Sequence, residues 1–466
     1  MRSSACNRAD AEIARWRAFL SLLIDDREEF DDDRARMDEI DSVATLPLAF
    51  ARLGQLLTTL DAPSPISAAR VQLTRLEVQV EETREPMHWL AAQRIYPRVY
   101  FSNQDKSLIA AGVGAAERVD GTAEDALHRL AGAGSARARF YGGLRFDDEA
   151  ETRQEWASFG MGVFVLPLWE IQICDGGRCY LACHLRWVTA PAIPSEVEAL
   201  QDGGVTPDTS SAAAPGWERA TRAALLVLLQ LHTSAEAVPP PQQPLPTLVA
   251  HEVSLEQDAW CEAVEHVLRG IENSEWSKVV LAQRVRLQFD AALEPLHLLL
   301  RLLEVNVAAI AEDETARPAS QDGARHAYLF LLQLDKHAAF MGCTPEKLFK
   351  VEGDQLSTEA LAGTRPRGDT AEADAALAQD LLHCEKDLRE VMAVRDFLKR
   401  VLGPASESLH HSDPFILQLR HVQHICVPFF ARLNTRSPLS ALALLHPTPA
   451  VCGTPSDAAR RTIRTL

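Results

Sequence analysis

The chain has 466 residues, of which 47% are hydrophobic and 24% are charged, the composition of a globular protein with a large buried core. Its net charge of -18 argues against nucleic acid and against an anionic membrane as general partners, because both would repel an acidic surface. No apolar run approaches the roughly 20 residues that a membrane-spanning helix needs. An anionic substrate would therefore have to be attracted by a local basic site or by a bound cation.

The amino terminus carries no clear targeting peptide. Residues 1–15 contain Ser and Arg, but acidic residues are frequent from Asp25 to Asp33, and transit peptides are poor in acidic residues. An apolar secretory core is absent from the same region. We expect a plastid location if the chain comes from a plant or an alga, and a cytoplasmic location otherwise.

Residues 1–85 are predicted to form a helical amino-terminal region. Apolar residues recur at three- and four-residue spacing around Trp16 and Leu23, and helices are expected from residue 9 to about residue 90. Beyond this region the pattern changes to short strands, predicted at Ile95–Ser102, Phe140–Phe146, Gly162–Ile173 and Arg178–Val188.

Four potential metal ligands lie close together in the sequence, namely Cys174, Cys179, Cys183 and His184. Their spacing is not that of paired CxxC ligands, which zinc sites favour. Asp-Gly-Gly at residues 175–177 is typical of a hairpin turn between strands. The nine cysteines are an odd number and are scattered, which fits reduced thiols. We therefore predict a hairpin with cysteines in its strands and no zinc site.

Two segments without periodicity separate the predicted units. Residues 201–216 are rich in Gly, Ser, Ala and Pro and are predicted to be a surface insertion before a helix at Trp217–His232. The proline cluster at residues 239–246 can neither continue a helix nor enter a central strand. We therefore divide the chain into a helical region at 1–85, an amino-terminal part at 86–248 and a second main part at 249–466.

The second main part alternates helices and strands. In chain order, the predicted elements are a helix at Ser254–Ile271, a strand at Lys278–Phe289, a helix at Leu293–Val305, strands at Ala327–Leu334 and Ala338–Met341, and a long amphipathic helix at Ala373–Val401. Residues 311–325 are charged and rich in small residues, which indicates another loop insertion.

Lys278 and Glu346 are candidate proton-transfer residues. A lysine that begins a strand is either a solvated strand end or, in a desolvated pocket, a base whose lowered pKa lets the neutral amine accept a proton. Glu346 ends the block Gly342-Cys-Thr-Pro-Glu346, in which the proline restricts the backbone. It is either a glutamate at a helix start or a general acid whose pKa is raised by burial. Residue pattern alone leaves both alternatives open.

Further candidates follow Glu346 in the chain. The block Leu361-Ala-Gly-Thr-Arg-Pro-Arg-Gly368 has small side chains that let an anion approach backbone N–H groups. Lys386 and Glu390 share a helix face, where Glu390 is either part of an exposed ion pair or a Mg²⁺ ligand. His424 and His446 are also candidates, although a lone histidine is most often a core or rim residue.

Five blocks of the second main part resemble, in the same order, those of the chorismate-binding enzymes, and within them the isochorismate synthases. The blocks are Lys278-Val-Val-Leu-Ala-Gln-Arg284, Gly342-Cys-Thr-Pro-Glu346, Glu359-Ala-Leu-Ala-Gly-Thr364, Leu381-Leu-His-Cys-Glu-Lys-Asp387 and residues 446–453. The resemblance extends from about residue 86 onward, and Arg139-Phe-Tyr-Gly-Gly143 is similar to plant and algal members. Anthranilate and salicylate synthases prefer Pro-Ile where this chain has Ala360-Leu361.

The resemblance implies a set of roles. Lys278 matches the base that activates water for attack at C2 of chorismate, Glu346 matches the acid that protonates the departing C4 hydroxyl, and Glu390 matches a Mg²⁺ ligand. The implied substrate-binding residues are Ala362, Gly363, Thr364, His424, His446 and Thr448. Mg²⁺ is the expected cofactor and chorismate the expected small-molecule partner. The product would enter phylloquinone, menaquinone or salicylate synthesis, with other quinone-pathway enzymes as further partners.

The resemblance also implies an α+β fold of two large, mostly antiparallel sheets packed face to face, with helices outside. Relative to the family, the chain stops early after residue 466, so we expect the fold to be incomplete there and to lack a second glutamate ligand for Mg²⁺. Val391 stands where the family often has histidine. The alternative function is therefore a catalytically silent module that belongs to a fused or multi-subunit quinone-pathway protein.

Overall fold

Two mostly antiparallel sheets with helices outside them form the body of the computed structural model. The structure describes residues 42–62, 71–82, 85–125, 137–174, 176–188, 216–232, 245–303, 327–419, 421–435 and 438–466. The predicted α+β fold of two large, mostly antiparallel sheets with outer helices is confirmed.

The strands are β1 (Ser42–Val43), β2 (Val71–Val80), β3 (Arg98–Ser102), β4 (Ile109–Asp120), β5 (Tyr141–Leu144), β6 (Gly162–Cys174), β7 (Arg178–Val188), β8 (Leu248–Val253), β9 (Lys278–Val279), β10 (Val285–Phe289), β11 (Tyr328–Gln333), β12 (Ala339–Thr344), β13 (Lys350–Glu352), β14 (Gln355–Pro366), β15 (Ser406–His411), β16 (Phe415–Gln418), β17 (Val422–Leu433) and β18 (Gly453–Thr454).

The helices are α1 (Leu46–Thr59), α2 (Pro86–Ala92), α3 (Gly216–Leu228), α4 (Gln257–Glu272), α5 (Ala371–His383), α6 (Glu385–Leu402), α7 (Pro438–Leu445) and α8 (Ser456–Thr465). Residues 295–303 are also helical, within the helix predicted at Leu293–Val305. Helix α4 begins after Glu256, while the Ser254 hydroxyl accepts a hydrogen bond from the Arg284 backbone.

The larger sheet has nine strands in the order β1-β2-β7-β6-β4-β3-β11-β12, with β5 paired to β6. Strands β6 and β7 confirm the predicted hairpin. Strand β2 contradicts the prediction that residues 1–85 are helical: Leu76, Val78 and Val80 alternate with polar residues at the period of a strand. Helix α1 is the part of that prediction which is confirmed, and the spacing around Trp16 and Leu23 lies outside the described residues.

One face of the larger sheet carries the main core. Helices α1, α2 and α3 pack there, and the side chains of Phe50, Trp89 and Trp169 are almost completely buried. The Phe50 and Trp169 rings are 5.7 Å apart between centroids. Burial of three large aromatic side chains at one place stabilises the sheet that carries the predicted second-part strands β11 and β12.

The opposite face of the larger sheet contains a buried polar network. Arg75 on β2 donates to the Glu170 carboxylate at 2.7 Å and contacts His184 Nε2 at 2.9 Å. The Tyr141 hydroxyl donates to the same Glu170 carboxylate. Since His184 Nδ1 lies 2.8 Å from the Pro167 carbonyl oxygen, it carries the proton, and Nε2 accepts from Arg75. Burial and the Arg75 charge hold the pKa of His184 well below its ordinary value.

The smaller sheet has five strands in the order β13-β14-β17-β15, with β16 also paired to β17. Helices α5 and α6 pack against it through a second core that includes Leu381, Val391 and Leu398. The single helix predicted at Ala373–Val401 is wrong in one respect, because Cys384 has an extended ψ of 109° and separates α5 from α6.

Two short ladders complete the described topology. The strand predicted at Lys278–Phe289 is divided into β9, which pairs with β18, and β10, which pairs with β8. The predicted insertions at 201–216 and 311–325 and the proline cluster at 239–246 lie almost entirely outside the described residues. The division at residues 85 and 248 stays a prediction, although β11 and β12 join the sheet of the first part.

Within the described ranges, no helix combines the length and the apolar composition needed to cross a bilayer.

We predict that Glu170→Gln lowers the stability of the protein by about 3 kcal/mol, because it leaves the buried Arg75 guanidinium without its full charge partner. The measurement is the shift of Tm and of the urea midpoint. Asp120→Asn is the control, since it removes the exposed partner of Arg118 and exposed pairs contribute little. Equal shifts in the two variants would contradict the prediction.

Candidate active site

The backbone of Lys278 is held by a segment near the carboxyl end of the chain. Lys278 pairs with Thr454, and the backbone N–H groups of Ser277 and Val280 donate to the carbonyl oxygens of Thr454 and Cys452, each at 2.8 Å. Gly453 has a φ of +149°, and a Cβ at this position would lie 2.2 Å from the Lys278 carbonyl oxygen. Only glycine therefore permits so close an approach of these two strands.

The Lys278 side chain is half-buried and lies near two carboxylates. Burial lowers the pKa of Lys278 below its ordinary value, because a desolvated ammonium is disfavoured. The charges of Glu390 and Glu346 act in the opposite direction and favour the ammonium. The structure thus favours the pocket alternative for Lys278 over a solvated strand end, and it brings together the three residues on which the resemblance depends.

Glu346 lies in the segment that connects β12 of the larger sheet to β13 of the smaller sheet. Its backbone N–H donates to Thr344 Oγ1 at 3.2 Å. Burial raises the pKa of Glu346, the nearby Glu359 raises it further, and Lys278 lowers it. The direction of the net shift is the one that a general acid requires.

Glu359 is a site residue that the sequence prediction missed. It lies on β14, is only 6% exposed, and acts on the pKa of Glu346 through its charge. The signal was available, because Glu359 opens one of the five matching blocks. Its proximity to Glu346 depends on the path of the chain between the sheets, which residue spacing does not reveal.

Glu390 lies on α6 and remains partly exposed. Its carboxylate is 3.9 Å from Lys386 Nζ, and the side chains are 37% and 76% exposed for Glu390 and Lys386, respectively. An exposed pair at this distance contributes little to stability. Because Glu390 also acts on Lys278, its carboxylate belongs to the site in addition to forming the predicted helix-surface pair.

Gly363 forms a bulge in β14. The register with β17 shifts between Ala362 and Thr364, and Gly363 has a φ of +70°. A Cβ at Gly363 would lie 3.0 Å from Asp387 Cβ on α6. Glycine thus allows both the left-handed backbone conformation and the close approach of α6 to β14.

His424 faces this bulge from β17. Its Nδ1 lies 3.1 Å from the Gly363 carbonyl oxygen and 3.1 Å from Thr364 Oγ1. Donation to the carbonyl requires the proton on Nδ1, and burial lowers the pKa of His424, so the neutral ring is favoured. Nε2 of His424 is buried and has no hydrogen-bond partner within the described residues.

The two arginines that follow Thr364 have structural partners. Arg365 binds Asp380 at 2.8 Å and Asp387 at 3.0 Å, while Arg367 binds Asp374 at 2.7 Å. These contacts join β14 to α5 and α6. The guanidinium groups are therefore engaged with carboxylates, and any anion binding by this block would depend on its backbone.

His446 and Thr448 lie on the segment that leads to β18. His446 is exposed, its Nε2 is 3.1 Å from the Phe146 carbonyl oxygen, and its ring meets the Phe146 ring edge-on. The buried Thr448 accepts backbone hydrogen bonds from Val451 and Cys452. Thr448 thus supports the strand that pairs with Lys278, and the substrate-binding roles of His446 and Thr448 stay predictions.

The described part of the chain contains no group of three or more His, Cys, Asp or Glu side chains arranged to hold a metal ion. Cys174, Cys179 and Cys183 lie in the β6–β7 hairpin, where burial raises the pKa of Cys179 to about 12. The next residue, His184, is engaged in the Arg75 network.

Comparison with known proteins identifies relatives of this chain. A family model for chorismate binding enzymes matches residues 62–466. The chain is 29% identical to isochorismate synthase 2, chloroplastic, of Arabidopsis thaliana, over 92% of this chain and 74% of that protein. It is 27% identical to the chloroplastic isochorismate synthase of Catharanthus roseus, over 91% and 73%. Among solved structures, MenF, the menaquinone-specific isochorismate synthase of Escherichia coli, superposes with a TM-score of 0.67 at 23% identity, over 90% of this chain and 83% of MenF.

We predict that Glu390→Gln lowers the pKa of Lys278 further, because it removes a negative charge that favours the ammonium. Competitive labelling of amines is measured by mass spectrometry across a range of pH. The midpoint of the titration of Lys278 is then obtained independently of the accessibility of its side chain. Glu352→Gln is the control, since Glu352 is exposed and paired with Lys350 at 3.0 Å. A Lys278 midpoint that is unchanged or raised by Glu390→Gln would contradict the prediction.

Proposed function

The chain belongs to the chorismate-binding enzyme family, and on this premise we propose that it converts chorismate to isochorismate. The observation that carries the proposal is the half-buried Lys278 near the charges of Glu346 and Glu390, with pKa values of Lys278 and Glu346 shifted in opposite directions. The two plant relatives are isochorismate synthases by name, which supports the same reaction.

In the proposed reaction, Lys278 acts as the general base. Its lowered pKa increases the fraction of neutral amine, which accepts a proton from the water that attacks C2 of chorismate. The backbone contacts with β18 fix the point from which the Lys278 side chain extends, and a restricted geometry reduces the entropic part of the barrier.

Glu346 acts as the general acid in this proposal. A hydroxyl group departs readily only when it is protonated, and the raised pKa of Glu346 keeps a proton available for the C4 hydroxyl. The C2–O bond forms as the C4–O bond breaks, so one water enters and one water leaves. The substrate gains no net atoms, as an isomerisation requires.

The bulge in β14 is the proposed surface for substrate binding. Ala362, Gly363 and Thr364 present small side chains, so a carboxylate can approach the backbone closely. The neutral His424 ring fixes the Gly363 carbonyl and Thr364 hydroxyl groups. The predicted contacts of His446 and Thr448 with substrate belong to this proposal as well.

We propose Mg²⁺ as the cofactor, with Glu390 as one ligand. Mg²⁺ is commonly bound by one or two carboxylates together with substrate oxygens and waters, and a single partly exposed glutamate fits this donor set. When bound, the ion would neutralise substrate carboxylate charge, which an acidic protein of net charge -18 does not attract by itself.

The product is proposed to enter quinone or salicylate synthesis, with the enzymes of those pathways as partners. Two relatives are chloroplastic by name, which supports a plastid location if this chain comes from a plant or an alga. A cytoplasmic location is proposed otherwise.

Incubation of chorismate with the purified chain and Mg²⁺, followed by chromatography, tests the reaction. Isochorismate is expected with Mg²⁺ and not with EDTA. Lys278→Ala and Glu346→Gln are each expected to lower kcat by roughly 10²–10⁴-fold, the usual contribution of a general acid or base. Glu352→Gln, at an exposed site, is the matched control with near-unchanged turnover.

Circular dichroism of the same variants separates lost chemistry from lost folding. Near-unchanged rates in Lys278→Ala or Glu346→Gln would contradict the assigned roles. Unchanged chorismate with the folded unsubstituted chain would contradict the proposed activity and favour the catalytically silent module.

The pH profile of kcat/KM is expected to be bell-shaped, because the active enzyme needs neutral Lys278 and protonated Glu346. In this state the two groups together hold one proton, and activity falls when the pair gains or loses a proton. The acid limb follows the lower pKa of the pair, to which the raised pKa of Glu346 contributes most. The alkaline limb follows the higher pKa of the pair, to which the lowered pKa of Lys278 contributes most. Both limbs should therefore lie closer to neutrality than the ordinary values of about 4.3 for Glu and 10.4 for Lys. A profile that is flat from pH 5 to pH 10 would contradict this prediction.

A further inference from the structure

Glu346 lies in a segment without strand or helix pairing. Residues 345–349 connect the last strand of the larger sheet to the first strand of the smaller sheet. Regular backbone ladders therefore do not fix this segment, and a general acid must nevertheless be held within hydrogen-bond reach of its target. Other contacts have to hold the backbone on both sides of Glu346.

Two side chains supply such contacts, one from each sheet. On the amino-terminal side, Gln104 Nε2 donates to the Pro345 carbonyl oxygen. On the carboxyl-terminal side, Thr358 Oγ1 donates to the Leu348 carbonyl oxygen at 2.6 Å. Gln104 lies in the loop between β3 and β4 of the larger sheet, while Thr358 lies on β14 of the smaller sheet.

Both donors are buried, with exposed fractions of 9% for Gln104 and 2% for Thr358. The acceptor residues Pro345 and Leu348 are half-buried, so water replaces a lost hydrogen bond only in part and the loss costs free energy. The two bonds therefore restrict the segment from opposite sides, and the Glu346 carboxylate is carried between them.

We propose that Gln104 and Thr358 are positioning residues, which hold the 345–348 backbone between the two sheets and so aim the Glu346 carboxylate at its substrate. This inference rests on the proposed function for the role of Glu346 as an acid. Neither residue needs to touch substrate, and the effect on the reaction is exerted through Glu346.

Thr358 permits a matched pair of substitutions. Thr358→Val keeps the shape and removes the hydroxyl, whereas Thr358→Ser keeps the hydroxyl and removes a methyl group. We expect Thr358→Val to lower kcat about tenfold with KM changed less than about twofold, and Thr358→Ser to retain most of the activity. If the serine variant loses as much as the valine variant, or if neither loses activity, the proposal is overturned.

Gln104→Met provides a second variant that lacks the donor at similar volume. It is expected to lower kcat as Thr358→Val does. Since both bonds restrict one segment, the double variant should lose less than the product of the two single losses. Losses that multiply would show independent effects and would contradict a shared segment.

A measurement without turnover distinguishes failure of this proposal from failure of the proposed function. The carboxyl signal of Glu346 is titrated by NMR in protein with ¹³C-labelled glutamate, and Glu346→Gln assigns the signal. Release of the segment should admit water and lower the raised pKa of Glu346 in Thr358→Val, but not in Thr358→Ser. An unchanged titration in both variants would overturn the positioning role even if chorismate is converted.

Discussion

Partial burial of Lys278 near two carboxylates is the interaction on which the candidate site depends. Desolvation disfavours the ammonium, while the charges of Glu346 and Glu390 favour it. Burial also disfavours the Glu346 carboxylate, and Lys278 opposes that effect. Each group therefore limits the pKa shift of the other. Shifts in these two directions bring both pKa values closer to neutral pH, which favours proton transfer with a substrate.

The rest of the structure serves to bring these three residues together from distant parts of the chain. Lys278 is held through β18 by a segment more than 170 positions later, since Ser277 and Thr454 are hydrogen-bonded. Glu390 comes near Lys278 because Gly363 lets α6, which carries Glu390, pack closely on β14. Glu346 lies between the sheets, and its segment is bonded to both. The larger sheet supports this segment through β11, because Leu329 and Leu331 belong to the same buried core as Phe50, Trp89 and Trp169.

The local residue pattern predicted much of this fold. It failed where contacts between distant segments, and not the local pattern, determined the secondary structure. The β6–β7 hairpin followed from alternating apolar residues around an Asp-Gly-Gly turn. Strand β2 was assigned to a helical region although Leu76, Val78 and Val80 alternate with polar residues, and the burial of its Arg75 depends on Glu170 of another strand. The helix divided at Cys384 has apolar residues at helical spacing on both sides, and only the backbone angles reveal the break.

Residue identity and order determined the family and the general fold class and indicated the three residues proposed for the site, because those features lie in short contiguous blocks. Tertiary structure decided the rest. It showed that Lys278 is half-buried beside carboxylates, that Arg365 and Arg367 bind aspartates, and that Glu359 adjoins Glu346. The burial, the pKa and the hydrogen-bond partners of a residue depend on which distant segments of the chain come into contact. The spacing of residues along the sequence does not give the distances between those segments in space.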